Sequence, residues 1–224
     1  MTAGTLAAQA VVIAKEPVPG RVKTRLTPPF TPAEAALLAE AALADTLAAV
    51  AAAPVSRHVL ALDGARGDWL PAGFDVIPQR GGGLDERLAA AFADTHATLP
   101  LPIVLVGMDT PQLTPHLLAD AAGSLVSGEA DAVFGPATDG GFWLLGLRKP
   151  DRSLLAGVPM SRPDTGRRQL DRLIEAGLRV AMVPEMTDVD TAREARLVAD
   201  AIPDSAFAAV FRLAADARLA EAVA

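Results

Sequence analysis

The sequence predicts one α/β domain, residues 1–224, built on a mostly parallel sheet. Two observations predict it. Short apolar runs rich in β-branched residues alternate with longer helix-patterned stretches from end to end, and no linker, internal repeat or low-complexity segment interrupts them. A hydrophobic fraction of 51% over 224 residues allows one large core.

The elements follow in order. Ala10 to Ala14 reads as a buried strand that stops at KEPVPG. Thr31 can cap the next helix, with Pro32 at its first position and Glu34 completing a capping box before an Ala/Leu stretch to about Ala53. Ser56 to Leu62 and Phe74 to Pro78 read as strands, Leu84 to Thr98 as a helix, and Pro102 to Val106 as another buried strand. A helix from Thr114 to Val126 is capped by Thr114 with Pro115 behind it. Strands at Ala130 to Gly135 and Phe142 to Leu147, separated by ATDGG, indicate a local antiparallel insertion. A helix from Thr165 to Ala176, a strand from Arg179 to Val183, and helices from Thr191 to Ala201 and Ser205 to Ala222 complete the chain.

Composition narrows the function. A net charge of −7 argues against nucleic acid or an anionic membrane as partner and favours a small molecule. The absence of cysteine removes thiol nucleophiles, disulfides and cysteine-held zinc. It also fits a reducing compartment, so a cytoplasmic location is expected. The N-terminal stretch lacks a positive n-region, and its apolar run is too short to span a bilayer.

Four segments carry candidate chemistry. In KEPVPGRVKTRL, Lys15, Arg21, Lys23 and Arg25 follow the first strand closely, and Gly20 adds flexible backbone donors. Ligands of open α/β sheets sit at the carboxyl ends of strands, where such cations suit a polyphosphate. A solvated basic loop is the plain alternative. Val22 stands where a P-loop needs glycine, and no G-x-G-x-x-G is present. In IVLVGMDTPQLT, Asp109 falls at a strand end, suited either to a hard divalent cation or to a turn. In TDVDTAREA, Asp188 and Asp190 point the same way if the segment is extended, which suits a metal. Capping of the next helix by Asp190 or Thr191 competes with that role, since Thr191 and Glu194 fit a capping box.

QRGGGLDERL sets Gly81, Gly82 and Gly83 at a helix start, where free N–H groups and close ligand approach are both available. Arg87 is a further candidate for the ligand, while Asp85 and Glu86 fit an ordinary acidic first turn. In GPATDGGFWLLGL, Asp139, Gly140 and Gly141 read first as a hairpin turn. The functional alternative makes them the lining of an acceptor pocket with Phe142 or Trp143 as its wall. His58, His96 and His116 match no catalytic or metal spacing.

Taken together, AKEPVPGRVKTRL, GGGLDERL, GMDTPQLT, GPATDGGFWLLGL, MSRPDTGRRQL and DVDT resemble a family of glycosyltransferase-A-like proteins first noted beside radical-SAM and selenium-domain genes. Some members are labelled arsenosugar-biosynthesis glycosyltransferases. The family is similar to 2-phospholactate and molybdenum-cofactor guanylyltransferases. The resemblance implies a GT-A fold, a three-layer α/β/α sandwich with a mostly parallel sheet and a small antiparallel region. It implies Asp109 as a metal-binding acid with Asp188 or Asp190 as second ligand, Arg21, Lys23 and Arg25 on phosphates, and Ser161 and Thr165 on the acceptor side. The chain departs from the family pattern at Met108 and Arg162, where serine and threonine are expected.

The leading expectation is nucleotidyl transfer from an NTP to a small phosphorylated or oxyanion acceptor, with Lys23, Arg25 and Asp109 as the catalytic set and Mg²⁺ or Mn²⁺ as cofactor. Four cations suit a triphosphate better than a diphosphate sugar. The alternatives are glycosyl transfer from a nucleotide-sugar, which the family label favours, and a non-catalytic nucleotide-binding module. Expected partners are the nucleotide and a small-molecule acceptor, with neither nucleic acid nor membrane, and a homodimer is allowed.

Overall fold

The computed structural model describes residues 4–223; residues 1–3 and 224 of the expected domain lie outside the described residues. Seven strands form one sheet: β1 (Leu6–Lys15), β2 (Val55–Asp63), β3 (Phe74–Pro78), β4 (Ile103–Gly107), β5 (Ala132–Pro136), β6 (Phe142–Leu147) and β7 (Val180–Met182). Their order across the sheet is β3-β2-β1-β4-β6-β5-β7. Every pairing is parallel except those of β6, which runs against both β4 and β5. The expected antiparallel insertion is therefore a hairpin return inside the main sheet.

Strand alternation divides the core. Ala10, Val12 and Ala14 of β1 face one side of the sheet, with Leu60, Val104 and Val106. Val11 and Ile13 face the other, with Val59, Ala61, Ile103 and Leu105. The first side is covered by α1 (Pro32–Ala51) and α3 (Pro115–Ser127), the second by α2 (Leu84–Thr98) and α4 (Thr165–Glu175). This is the three-layer mixed α/β arrangement of the GT-A type, as expected.

Helix α1 is apolar nearly all round because it is covered twice. Leu43, Leu47 and Val50 face the sheet. Ala35, Leu38 and Ala42 face an outer tier made by α5 (Ala192–Ala201) and α6 (Ala206–Val223), with Phe207 and Phe211. Its start is the expected capping box, with Thr31 accepting from the Glu34 N–H and Glu34 reaching back to the Thr31 N–H. Among the described residues no helix is long and apolar enough to cross a membrane.

β1 begins four residues earlier than the apolar run suggests, because Gln9 is buried within it. Its side-chain amide donates to Leu99 O at 2.8 Å and its oxygen accepts from Arg57 at 3.0 Å. With β2 on one side of β1 and β4 on the other, the chain reverses its build direction between β1 and β4. In an open α/β sheet that reversal opens a crevice at the carboxyl ends of the strands.

Candidate functional site

The segments after β1 and β4 meet at this crevice. Lys23 and Asp109, 86 residues apart, are joined by a 2.7 Å bond from Lys23 Nζ to Asp109 Oδ2. The same ammonium donates to Asp190 Oδ1 at 3.0 Å, and Arg25 reaches Asp190 Oδ2 at 3.2 Å. The Lys23 side chain is only 9% exposed, while that of Arg25 is 72% exposed. Burial alone would lower the Lys23 proton affinity, but Asp109 and Asp190 outweigh it and raise it, so the ammonium stays charged.

The loop holding Lys23 is pinned on both sides. Val22 packs against Ala36, Ala39 and Met108, and Leu26 is fully buried beneath α1. Between them Lys23 takes φ 46° and ψ 40°, a left-handed conformation uncommon outside glycine, just before a short 3-10 turn at Thr24–Leu26. Met108 accepts from the Lys15 N–H at 3.3 Å and so ties the end of β1 to the end of β4. Lys15, Gly20 and Arg21 are exposed.

Asp188 and Asp190 flank the buried Val189, whose N–H donates to Asp109 O at 3.0 Å. The α5 cap is made by Thr191 and Glu194. That division leaves the Asp190 carboxylate to Lys23 and Arg25. Asp188 differs from its neighbours: its Oδ1 is buried and has no hydrogen-bond partner among the described residues. Burial first, then the charges of Asp109, Asp139 and Asp190, push its carboxyl up to about 8 against the pull of Lys23. Among the described residues no three His, Cys, Asp or Glu side chains already stand at metal-ligand spacing.

Asp139, Gly140 and Gly141 form the tight turn between β5 and β6, with the Gly141 N–H donating to Asp139 Oδ1 at 2.7 Å. This turn is locked onto the start of α4. Gly166 N–H donates to Gly140 O at 2.8 Å. A Cβ on Gly140, at φ +88°, would lie 2.0 Å from Pro163 O, and one on Gly166 would lie 2.2 Å from Gly141 O. Phe142 is half-buried against Phe134. Trp143 is buried, with its indole N–H on Pro184 O at 3.0 Å, so it belongs to the core.

Ser161 is exposed at φ 58° beside this lock, whereas Thr165 is buried. The Thr165 hydroxyl donates to Pro159 O at 2.8 Å and accepts from the Arg162 N–H at 3.1 Å, holding the loop before α4 in shape. Asp164 lies among Arg162, Arg167 and Arg168, and its bond to Arg168 does most to hold its carboxyl below the usual range.

The glycine-rich segment is tied into the start of α2. Gly83 is the N-cap of α2, and the Gly82 N–H is taken by Glu86 at 2.8 Å. Arg87 reaches Asp63 at the end of β2, at 2.7 Å, and Gln79 at 3.4 Å. Sequence reasoning missed the isolation of Asp188, for which no local signal exists. It also missed the role of Met108, which its place beside the strand end could have suggested.

The mostly parallel sheet with antiparallel β6 inserted between β4 and β5 is a mixed α/β fold of the GT-A type. Residues 39–162 match the family described as "Uncharacterized protein conserved in bacteria (DUF2064)", and the chain belongs to that family. Comparison with curated proteins gives no match. The chain is similar to the structure of a candidate nucleotide-diphospho-sugar transferase from Desulfovibrio desulfuricans G20, with 26% identity, a TM-score of 0.85, and 96% of this chain and 97% of that one covered. More distant likeness, of fold alone, extends to Mycobacterium tuberculosis H37Rv Rv0371C in complex with manganese, with 21% identity, TM-score 0.51, and 88% and 98% covered. It extends also to CMP:2-keto-3-deoxy-manno-octonic acid synthetase with CTP, with 15% identity, TM-score 0.53, and 88% and 99% covered.

Proposed function

We propose that the chain is a metal-dependent nucleotidyltransferase that moves a nucleoside monophosphate from an NTP to a small oxyanion acceptor. One observation carries this reading: Lys23 is gathered with Asp109 and Asp190 at the reversal point of the sheet, beside the unpartnered oxygen of Asp188. Carboxylate oxygens are the donors that Mg²⁺ or Mn²⁺ prefers. A cation shared by Asp109 and Asp188 would give the buried Asp188 oxygen a partner and offset the repulsion between these acids. Asp109, Asp188 and Asp190 would therefore hold it together. When bound, it supplies Lewis-acid neutralisation of phosphate charge.

The exposed Lys15, Arg21 and Arg25 would receive the phosphate chain, with Lys23 behind them. The acceptor oxygen bonds the α-phosphorus as the bond from that phosphorus to the α–β bridging oxygen breaks, and pyrophosphate leaves with the electron pair. An acceptor already deprotonated at its attacking oxygen needs no base. Catalysis is then positioning and charge neutralisation. The acceptor would enter beside Phe142, Ser161 and the Gly140–Gly141 turn, where Arg162 favours a negatively charged molecule.

A second reading, glycosyl transfer from a nucleotide-sugar, is favoured by the likeness to the Desulfovibrio protein. There the acceptor oxygen would bond the anomeric carbon as that carbon's bond to the diphosphate oxygen breaks and a nucleoside diphosphate leaves, and Asp139 would take the proton of the acceptor hydroxyl. Incubation with Mg²⁺ or Mn²⁺, each NTP or nucleotide-sugar, and an acceptor panel separates the two. Pyrophosphate release is expected, and its loss on EDTA treatment tests the metal. Release of a nucleoside diphosphate from nucleotide-sugars alone would replace the first reading with the second.

A further inference from the structure

Lys23 stands where a cation between Asp109 and Asp190 would stand. Its ammonium contacts both carboxylates, at 2.7 and 3.0 Å, and Arg25 contacts Asp190 from outside at 3.2 Å. A dication entering between these two carboxylates would lie beside the Lys23 ammonium, and like charges at such separations repel strongly when half-buried. Arg25 lies at the wet rim, so its departure frees no room between the acids. Lys23 fills that room.

Its backbone is fixed by Val22 and Leu26, so the loop itself has little freedom to open. What remains free is the four-carbon stem, which is flexible and carries a compact charge. Lys15 and Arg21, from the same segment, are exposed and would draw in phosphate groups. A phosphate there offers the lysine an anion in exchange for the two carboxylates.

We propose that Lys23 is an internal plug: without nucleotide its ammonium holds Asp109 and Asp190 together and excludes the divalent cation, and an arriving phosphate chain draws it off and admits the metal. This rests on the metal-dependent reading above. The coupling is reciprocal, so nucleotide tightens metal binding by the factor by which metal tightens nucleotide binding. Metal then enters with or after the nucleotide, and the free protein holds metal weakly.

The test measures Mn²⁺ binding by electron paramagnetic resonance in the nucleotide-free wild-type protein and in Lys23→Met, after circular dichroism shows the variant folded. The variant is expected to bind Mn²⁺ about tenfold tighter or better, a typical size for coupling between adjacent sites. A second measurement needs no variant. Lys15, Lys23 and Lys149 are the only lysines, so acetic anhydride labelling read by mass spectrometry resolves each. Lys23 should be protected in the free protein and gain several-fold labelling relative to Lys149 as Mg²⁺ is raised.

Unchanged or weaker Mn²⁺ binding in Lys23→Met, or labelling of Lys23 indifferent to Mg²⁺, overturns the plug and leaves the proposed function standing. Failure of both proteins to bind Mn²⁺, with and without each of ATP, CTP, GTP and UTP, overturns the metal-dependent reading and the plug together.

Discussion

Lys23 meets Asp109 and Asp190 through side chains across 86 and 167 residues of sequence, whereas Gly140 meets Gly166 and Pro163 through backbone alone. Both contacts lie at the carboxyl rim of the same sheet. The first is made of charges on rotatable stems and can exchange partners. The second is made of shape, with no room for one added carbon, and cannot. Where charges meet, the molecule uses side chains, and where two segments are held in register, it uses glycine.

The most direct way to break this contrast is Gly140→Ala. A Cβ placed 2.0 Å from Pro163 O at φ +88° combines a clash with an unfavourable backbone conformation. The loss of stability should reach about 3 kcal/mol or more, read as a lowered midpoint in urea unfolding. A shift of only a few tenths of a kcal/mol would show that the lock yields.

Next in size, Asp109→Ala should cut turnover by about 10²-fold or more and abolish metal-dependent nucleotide binding. Its circular dichroism spectrum should remain that of the wild type, since Lys23 keeps Asp190. Metal dependence unchanged in this variant would remove Asp109 from the site.

Asp188 sharpens the contrast by pH. Its carboxyl lies at about 8 in the folded chain against a normal 3.8. Between those values the unfolded chain sheds a proton that the folded chain retains, so metal-free stability falls as pH rises from about 4 to about 8. Asp188→Asn removes this dependence. The variant should melt higher than the wild type at pH 8, and the gap should close toward pH 4; a wild type that melts higher at pH 8 would show the carboxylate to be stabilising.

The smallest effect belongs to a charged cluster away from both contacts. Asp131, bonded first to Arg179 and also beside Arg148, is held down to about 2 from 3.8. Its contribution is complete above pH 4 and fades as pH falls toward 2. Asp131→Asn should therefore be mildly less stable than the wild type at neutral pH, with the difference vanishing in acid. A difference that persists at pH 2 would assign its role to something other than charge.

Much of the fold was legible because its signals are local. Thr31 with Glu34, Thr114 with Pro115, and Thr191 with Glu194 announced three helix starts that the structure contains. The β5–β6 turn was announced by Asp139-Gly140-Gly141. The position of β6 between β4 and β5 was not legible, since strand order depends on long-range pairing. The site divided in the same way. The charges of Lys23, Asp109 and Asp190 were visible as residue types at strand ends, but their mutual contact was not. The unpartnered oxygen of Asp188 depends on what surrounds it rather than on what precedes it.

The glycine lock also bears on how this scaffold can diverge. A turn that admits no side chain at Gly140, facing a helix start that admits none at Gly166, leaves little room for inherited variation at either place. Ser161 and Arg162, exposed just before the lock, carry no such restriction. Substitutions there meet no such steric barrier, so this loop can vary while the lock is kept.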